Sequence, residues 1–205
     1  MNKSNFIRLS GWAFVIGAFF FYISFFYLYM YMFAFLLNTS FPLLFLTSLG
    51  INGSTVIYLS FYGSPILLAV GMFGLRARYG EIVGKLGKTI LLISPVGIPL
   101  SYFEPLRGAG LFVLMTCLTL FGVLALIIKP LPRWRNGLPI IAGIGYPALF
   151  LASRLAGVAD EQFIVRSLLL NIMLAIQFSA LMILGFMLKG DAIEKSKPYP
   201  REQTA

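Results

Sequence analysis

Most enzyme chemistry is done by histidine, cysteine, lysine and the carboxylates, and this chain of 205 residues is short of the first two. It has no histidine and one cysteine, Cys117. The commonest general base and metal ligand is therefore missing. The seven carboxylates are Glu81, Glu104, Asp160, Glu161, Asp191, Glu194 and Glu202, and all fall in polar connections or in the tail. Asp160 and Glu161 form the one adjacent pair. Neighbours on one turn point apart, so a hard-cation site would need ligands that the sequence does not identify. With Arg154 and Arg166 nearby, the pair reads as a solvated rim. Cys117 lies in an apolar run with no base or cation beside it, which describes an inert thiol. Gly80, Gly84 and Gly87 crowd one connection, yet no Lys-Ser/Thr follows and no strand precedes, so they make no phosphate loop. No catalytic, metal-binding or cofactor-binding constellation emerges, and a non-enzymatic protein is expected.

What remains is uncharged polarity and proline inside apolar runs. Gln177 and Asn171 are amides within one run, and Ser167, Asn171, Ala175 and Ser179 recur at four-residue spacing along one helical side. Such side chains either hydrogen-bond neighbouring helices or line a site. Ala148, Ala152 and Ala156 form a small-residue ridge expected to face another helix. Pro95, Pro99 and Pro147 each remove a helical hydrogen bond, with kinks expected at 99 and 147. Broken helices build sites in transporters and are also tolerated as ordinary membrane architecture. Tyr22 lies deep within an aromatic run from Phe14 to Phe35 and needs a partner for its hydroxyl. A flat aromatic wall there could hold a quinone, a carotenoid or a lipid tail, or simply pack against lipid.

The elements that must position these residues are six apolar runs, near 12–37, 56–75, 82–103, 111–128, 138–156 and 164–188. Runs of about 18 or more apolar residues are long enough to cross a bilayer. The chain is 59% hydrophobic and 11% charged, with mean hydropathy +0.89, against roughly 25% charged for a soluble domain. Backbone polar groups in lipid must be satisfied internally, and the runs are too continuous for the alternating strands of a barrel. The fold class expected is all-α: a polytopic, six-helix transmembrane bundle of helical hairpins over 1–188, followed by a polar cytoplasmic tail, 189–205. The run near 12–37 lacks a small-residue cleavage site and reads as a retained helix rather than a secretory signal.

Charge sets the threading. With the N-terminus inside, thirteen of the sixteen Lys and Arg residues fall on inner segments and three (Arg107, Arg154, Arg166) on outer ones. Four acidic residues lie inside and three outside, which leaves +9 inside and zero outside. That bias places both termini in the cytoplasm, in the plasma membrane. The same inner face could attract anionic lipid. Its cations are scattered over short segments that shape no groove for nucleic acid. The outer connection Asn38–Thr55 is uncharged and apolar in its middle, either interfacial or re-entrant.

A 48-residue offset pairs Phe73-Gly74 with Phe121-Gly122, Gly97 with Gly145, Pro99 with Pro147 and Leu92-Ile93 with Ile140-Ile141. It predicts a parallel repeat of one hairpin. The inner turns Gly74-Leu75-Arg76-Ala77-Arg78 and Leu131-Pro132-Arg133-Trp134, the second followed by a glycine-rich helix, give residues 73–151 a pattern that resembles small uncharacterised prokaryotic multi-pass membrane proteins. The resemblance implies six membrane helices and no known activity. The functional expectation is a lipophilic molecule held between the kinked third and fifth helices and the aromatic first. A small transporter, or a subunit docking on a membrane-protein partner, is the alternative.

Overall fold

The computed structural model describes residues 2–36, 47–48, 50, 53–58, 62–102, 107–131, 133–155 and 163–194; at some helical positions among them the backbone alone is described. Among the described residues every regular element is helical and none is a strand. The first helix, α1, runs Lys3–Leu36, so it starts well before the apolar run at Trp12. Asn2 explains the early start: its Oδ1 accepts the Ser4 N–H at 3.4 Å, which satisfies one of the donors a helix start leaves open.

The second expected helix is corrected at both ends. Val56, its expected start, belongs to a separate short helix, α2 (Gly53–Tyr58). The longer helix α3 spans Ser64–Ile93 with Pro65 in its first turn, where the missing N–H has no intrahelical partner to lose. The expected inner turn between 75 and 82 is helical instead. The break comes at Gly84, φ 71° and ψ −168°, a left-handed conformation that glycine adopts without a Cβ penalty. A Cβ built on Gly80 would lie 3.2 Å from Lys88 Cγ, whereas eight residues of straight helix rise about 12 Å. The chain therefore folds back at Gly84, giving α3 two limbs.

The returning limb is interrupted at Ser94–Val96, a 3₁₀ turn, before α4 (Gly97–Tyr102). Pro95 cannot donate to the Leu91 carbonyl, and the Ser94 hydroxyl donates to it instead at 3.0 Å. The interruption thus sits at Pro95 and not at Pro99, which lies within α4. Helix α5 (Arg107–Ile128) stops where Lys129 turns left-handed, φ 54°, with its N–H still bonded to the Ala125 carbonyl at 2.9 Å and Pro130 next. After a 3₁₀ turn at Arg133–Gly137, α6 (Leu138–Leu155) continues through Pro147. The last helix, α7 (Phe163–Glu194), continues past the expected end at Leu188 into the polar tail.

The long helices pack in a ring: α1 against α7 and α3, α3 against α5, α5 against α6, and α6 against α7. Phe14, Leu68, Met72, Leu114, Leu118, Phe121, Leu181 and Leu184 fill the interior. Glycines set the closest approaches. A Cβ on Gly11 would lie 2.6 Å from the Gly185 carbonyl oxygen, and one on Gly122 would lie 2.9 Å from the Pro139 carbonyl carbon. The outward faces are apolar too: Ile127 is 72% and Ile176 53% exposed. A helix apolar all round belongs in a large core or in lipid. Among the described residues four stretches are long and apolar enough to cross a membrane: Lys3–Tyr27, Ser64–Tyr102, Ala109–Ile128 and Ile172–Gly190. Most of the Asn38–Thr55 connection, the Asp160-Glu161 pair and the tail after Glu194 lie outside the described residues.

Candidate functional site

Gln177 is a buried amide, 1% exposed, on α7. Its Nε2 donates to the Met115 sulfur of α5 at 3.6 Å. Its Oε1 is buried with no hydrogen-bond partner and faces the side of Gly145, on α6, where a Cβ would otherwise stand. A Cα–H lies opposite that oxygen, a weak contact at best. Leaving a buried acceptor without a proper donor costs about 1–3 kcal/mol. One amide therefore touches three helices, and glycine at 145 is what makes room for it.

Tyr22 lies beside this point. Counting from Trp12 at 1.5 Å per residue, it stands about 15 Å along α1. Its ring stacks on Phe178 of α7 at 4.7 Å and 28°, and on Phe26 at 6.4 Å and 21°. Tyr22 is half-buried. Behind it, Phe21 and Phe25 meet Tyr146 of α6 edge-on at 5.9 and 6.2 Å. Thus α1 and α6 meet through rings, forming an aromatic seam that opens sideways at Phe26, 36% exposed.

The structure brings Tyr22, Gln177 and the neighbourhood of Pro147 together and leaves Pro95 and Pro99 elsewhere. Gly97 packs on Gly110 and Leu114, whereas Gly143 packs on Met115 and Thr119. At 100° per residue those two pairs mark different faces of α5. The third and fifth runs therefore pack on different faces of α5 at these glycines. The side chain of Asn171 lies outside the described residues, as do those of Ser167, Ala152 and Ala156. Of the same patterns, Ala148 is exposed, and Ser179 is exposed with its hydroxyl donating to the Ala175 carbonyl at 2.8 Å. Neither bonds a neighbouring helix. Cys117 is buried. Among the described residues no group of three or more His, Cys, Asp or Glu is placed to hold a metal.

The end of the bundle near Lys3 and Lys189 has its own architecture. Lys189 Nζ sits 4.2 Å from the Trp12 ring centre, and Phe186 meets the same ring edge-on at 6.3 Å. This cation–π contact ties α1 to α7. An open cleft of about 360 Å³ lies nearby, lined by Lys3 and Phe6 of α1 and by Phe73, Arg76, Ala77, Glu81 and Lys88 of α3. Lys88 Nζ donates to Glu81 Oε1 at 2.7 Å. That bond and the Lys88 charge hold the exposed Glu81 carboxyl below the ordinary carboxylate range, with Lys3 adding to the effect. The cleft could not be read from the sequence, where Lys3 and Arg76 stand far apart; only the fold joins them. The Gln177–Gly145 contact was half legible, since the buried amide stood out and its glycine partner did not. Compared with known protein families, curated proteins and solved structures, the chain matches none.

Proposed function

We propose that the chain is a non-enzymatic, polytopic integral membrane protein of six crossings, with both termini cytoplasmic in the plasma membrane, and that it accommodates a lipophilic molecule along the aromatic seam of α1, α6 and α7. The apolar outward faces support the membrane reading. The count of six is supported at Gly84: residues 64–102 would measure about 58 Å as one rod, nearly twice the hydrocarbon thickness, and the fold-back makes two crossings of them. The 48-residue offset adds a duplicated hairpin to the same proposal. The resemblance of residues 73–151 to small prokaryotic multi-pass membrane proteins belongs to the same proposal.

The single observation carrying the ligand reading is Tyr22, half-buried near mid-depth, stacked on Phe178 and opening sideways. A phenol in hydrocarbon needs an acceptor, and a flat lipophile bearing a carbonyl would stack on the rings and take that proton. The class is quinone-like or an oxygenated polyene. The test is purification from native membranes in mild detergent, solvent extraction and mass spectrometry. A flat lipophile is expected at near-stoichiometric level, with Tyr22→Phe retaining about tenfold less, the worth of one hydrogen bond. Recovery of bulk phospholipid alone, in the proportions of the membrane, would overturn it. A transporter rocking about Pro99 and Pro147 has less support, because the neighbouring Gly97 and Gly143 pack on different faces of α5.

A further inference from the structure

The cleft at the inner end has the chemistry of a phosphate site. Three cations converge on it from separate parts of the chain: Lys3 from the start of α1, Arg76 from the descending limb of α3, and Lys88 from the returning limb beyond Gly84. Glu81 is the one carboxylate in the lining, and Lys88 already engages it. Two positive charges are left over. Phe6 and Phe73 supply an apolar wall, so cations and rings face one space. At about 360 Å³ the cleft falls in the range of small-ligand sites, roughly 300–1,000 Å³. Its placement follows from the fold: the turn at Gly84 brings Lys88 back over Gly80, and the helix start fixed by Asn2 brings Lys3 alongside.

We infer that this cleft binds a phosphate group, with Arg76 and Lys3 as the principal anion contacts and Lys88 shared between the phosphate and Glu81. Guanidinium offers a planar fork to two phosphate oxygens. The phosphate has two possible sources, the headgroup of an anionic phospholipid in the inner leaflet or a soluble phosphate. The aromatic wall favours the headgroup, whose glycerol and first methylenes would lie on Phe6 and Phe73. The lipid source depends on the membrane reading proposed above; the anion chemistry does not, and it makes no use of the Tyr22 seam.

Binding of dioctanoyl phosphatidylglycerol, dioctanoyl phosphatidylcholine and inorganic phosphate to the detergent-solubilised full chain tests the inference. Phosphatidylglycerol is expected to bind at least tenfold tighter than phosphatidylcholine. Arg76→Gln and Lys3→Gln should each weaken it by roughly fivefold, the worth of one cation near the surface. Lys85→Gln is the control, because Lys85 is exposed on the same turn but does not line the cleft. It should change binding less than twofold. Glu81→Gln should tighten binding by roughly fivefold by releasing Lys88, a gain that misfolding cannot imitate. Inorganic phosphate that displaces the lipid at equal concentration assigns the site to a soluble phosphate; failure to displace it assigns the headgroup. Equal affinity for the two lipids, an equal loss in Lys85→Gln, or no gain in Glu81→Gln overturns the proposal. Persistence of these effects without any lipophile on extraction would sink the seam and leave the cleft standing.

Discussion

Gln177 and Gly145 act as one unit. The amide reaches Met115 on one side and lies over the bare face of Gly145 on the other. A methyl at 145 would collide with the amide oxygen, so Gly145→Ala is expected to destabilise the protein by about 1–3 kcal/mol. Shortening the partner removes the collision, so adding Gln177→Ala to Gly145→Ala should cost less than the two single changes together. Chemical unfolding in mixed micelles reads both values, and strict additivity would refute the contact. Gln177→Met should be close to neutral, because it discards an unpaired acceptor while keeping the volume. Ser94 shows the opposite solution at another buried polar group: its hydroxyl takes up the acceptor that Pro95 leaves open.

Helix existence was plain from apolar run length alone, and helix limits were not. Run length tracks which residues tolerate hydrocarbon, whereas limits obey backbone chemistry. Pro65 sits in the first turn of α3, Gly84 turns that helix back at a positive φ, and Lys129, left-handed before Pro130, ends α5. Proline need not end a helix, and α6 continues through Pro147. Gly84 offers the sharpest test. Nothing lies within 4 Å of a Cβ there, so any penalty reports backbone conformation alone. Gly84→Val and Gly84→Asn should each lower stability by about 1–3 kcal/mol, because φ 71° with ψ −168° is open essentially to glycine alone. Equal melting temperatures for the three proteins would mean that the chain does not turn back at this position.

The bundle as a whole wears an inverted surface, with leucine, isoleucine and phenylalanine outside and its amide within. This much was readable from composition, because 11% charge cannot cover a water-facing surface of this size. The aromatic seam was legible as a dense run in α1, but its partners Tyr146 and Phe178 were not, since only packing reveals which faces of distant helices meet. Threading gives the prediction for the entire molecule. In a Cys117→Ala background, cysteines replacing Glu81 and Arg135 should react with an impermeant maleimide only after cells are opened, and one replacing Asp160 in intact cells. Labelling of position 81 in intact cells would reverse the orientation and with it the leaflet that the cationic cleft faces.

The connection between α5 and α6 hangs on a single carboxamide. Asn136 accepts the Leu131 N–H at 2.9 Å and donates to the Leu131 carbonyl at 2.8 Å, and it is 5% exposed. The residue after it is Gly137, and an asparagine followed by glycine is the dipeptide most prone to lose ammonia by ring closure. Were that to happen here, an acidic oxygen would replace the donor and confront the Leu131 carbonyl, and the clasp would open. The 3₁₀ turn and the two bonds to Leu131 hold the carboxamide back from that ring closure, so slow covalent ageing at this side chain would keep time with how often the hairpin opens.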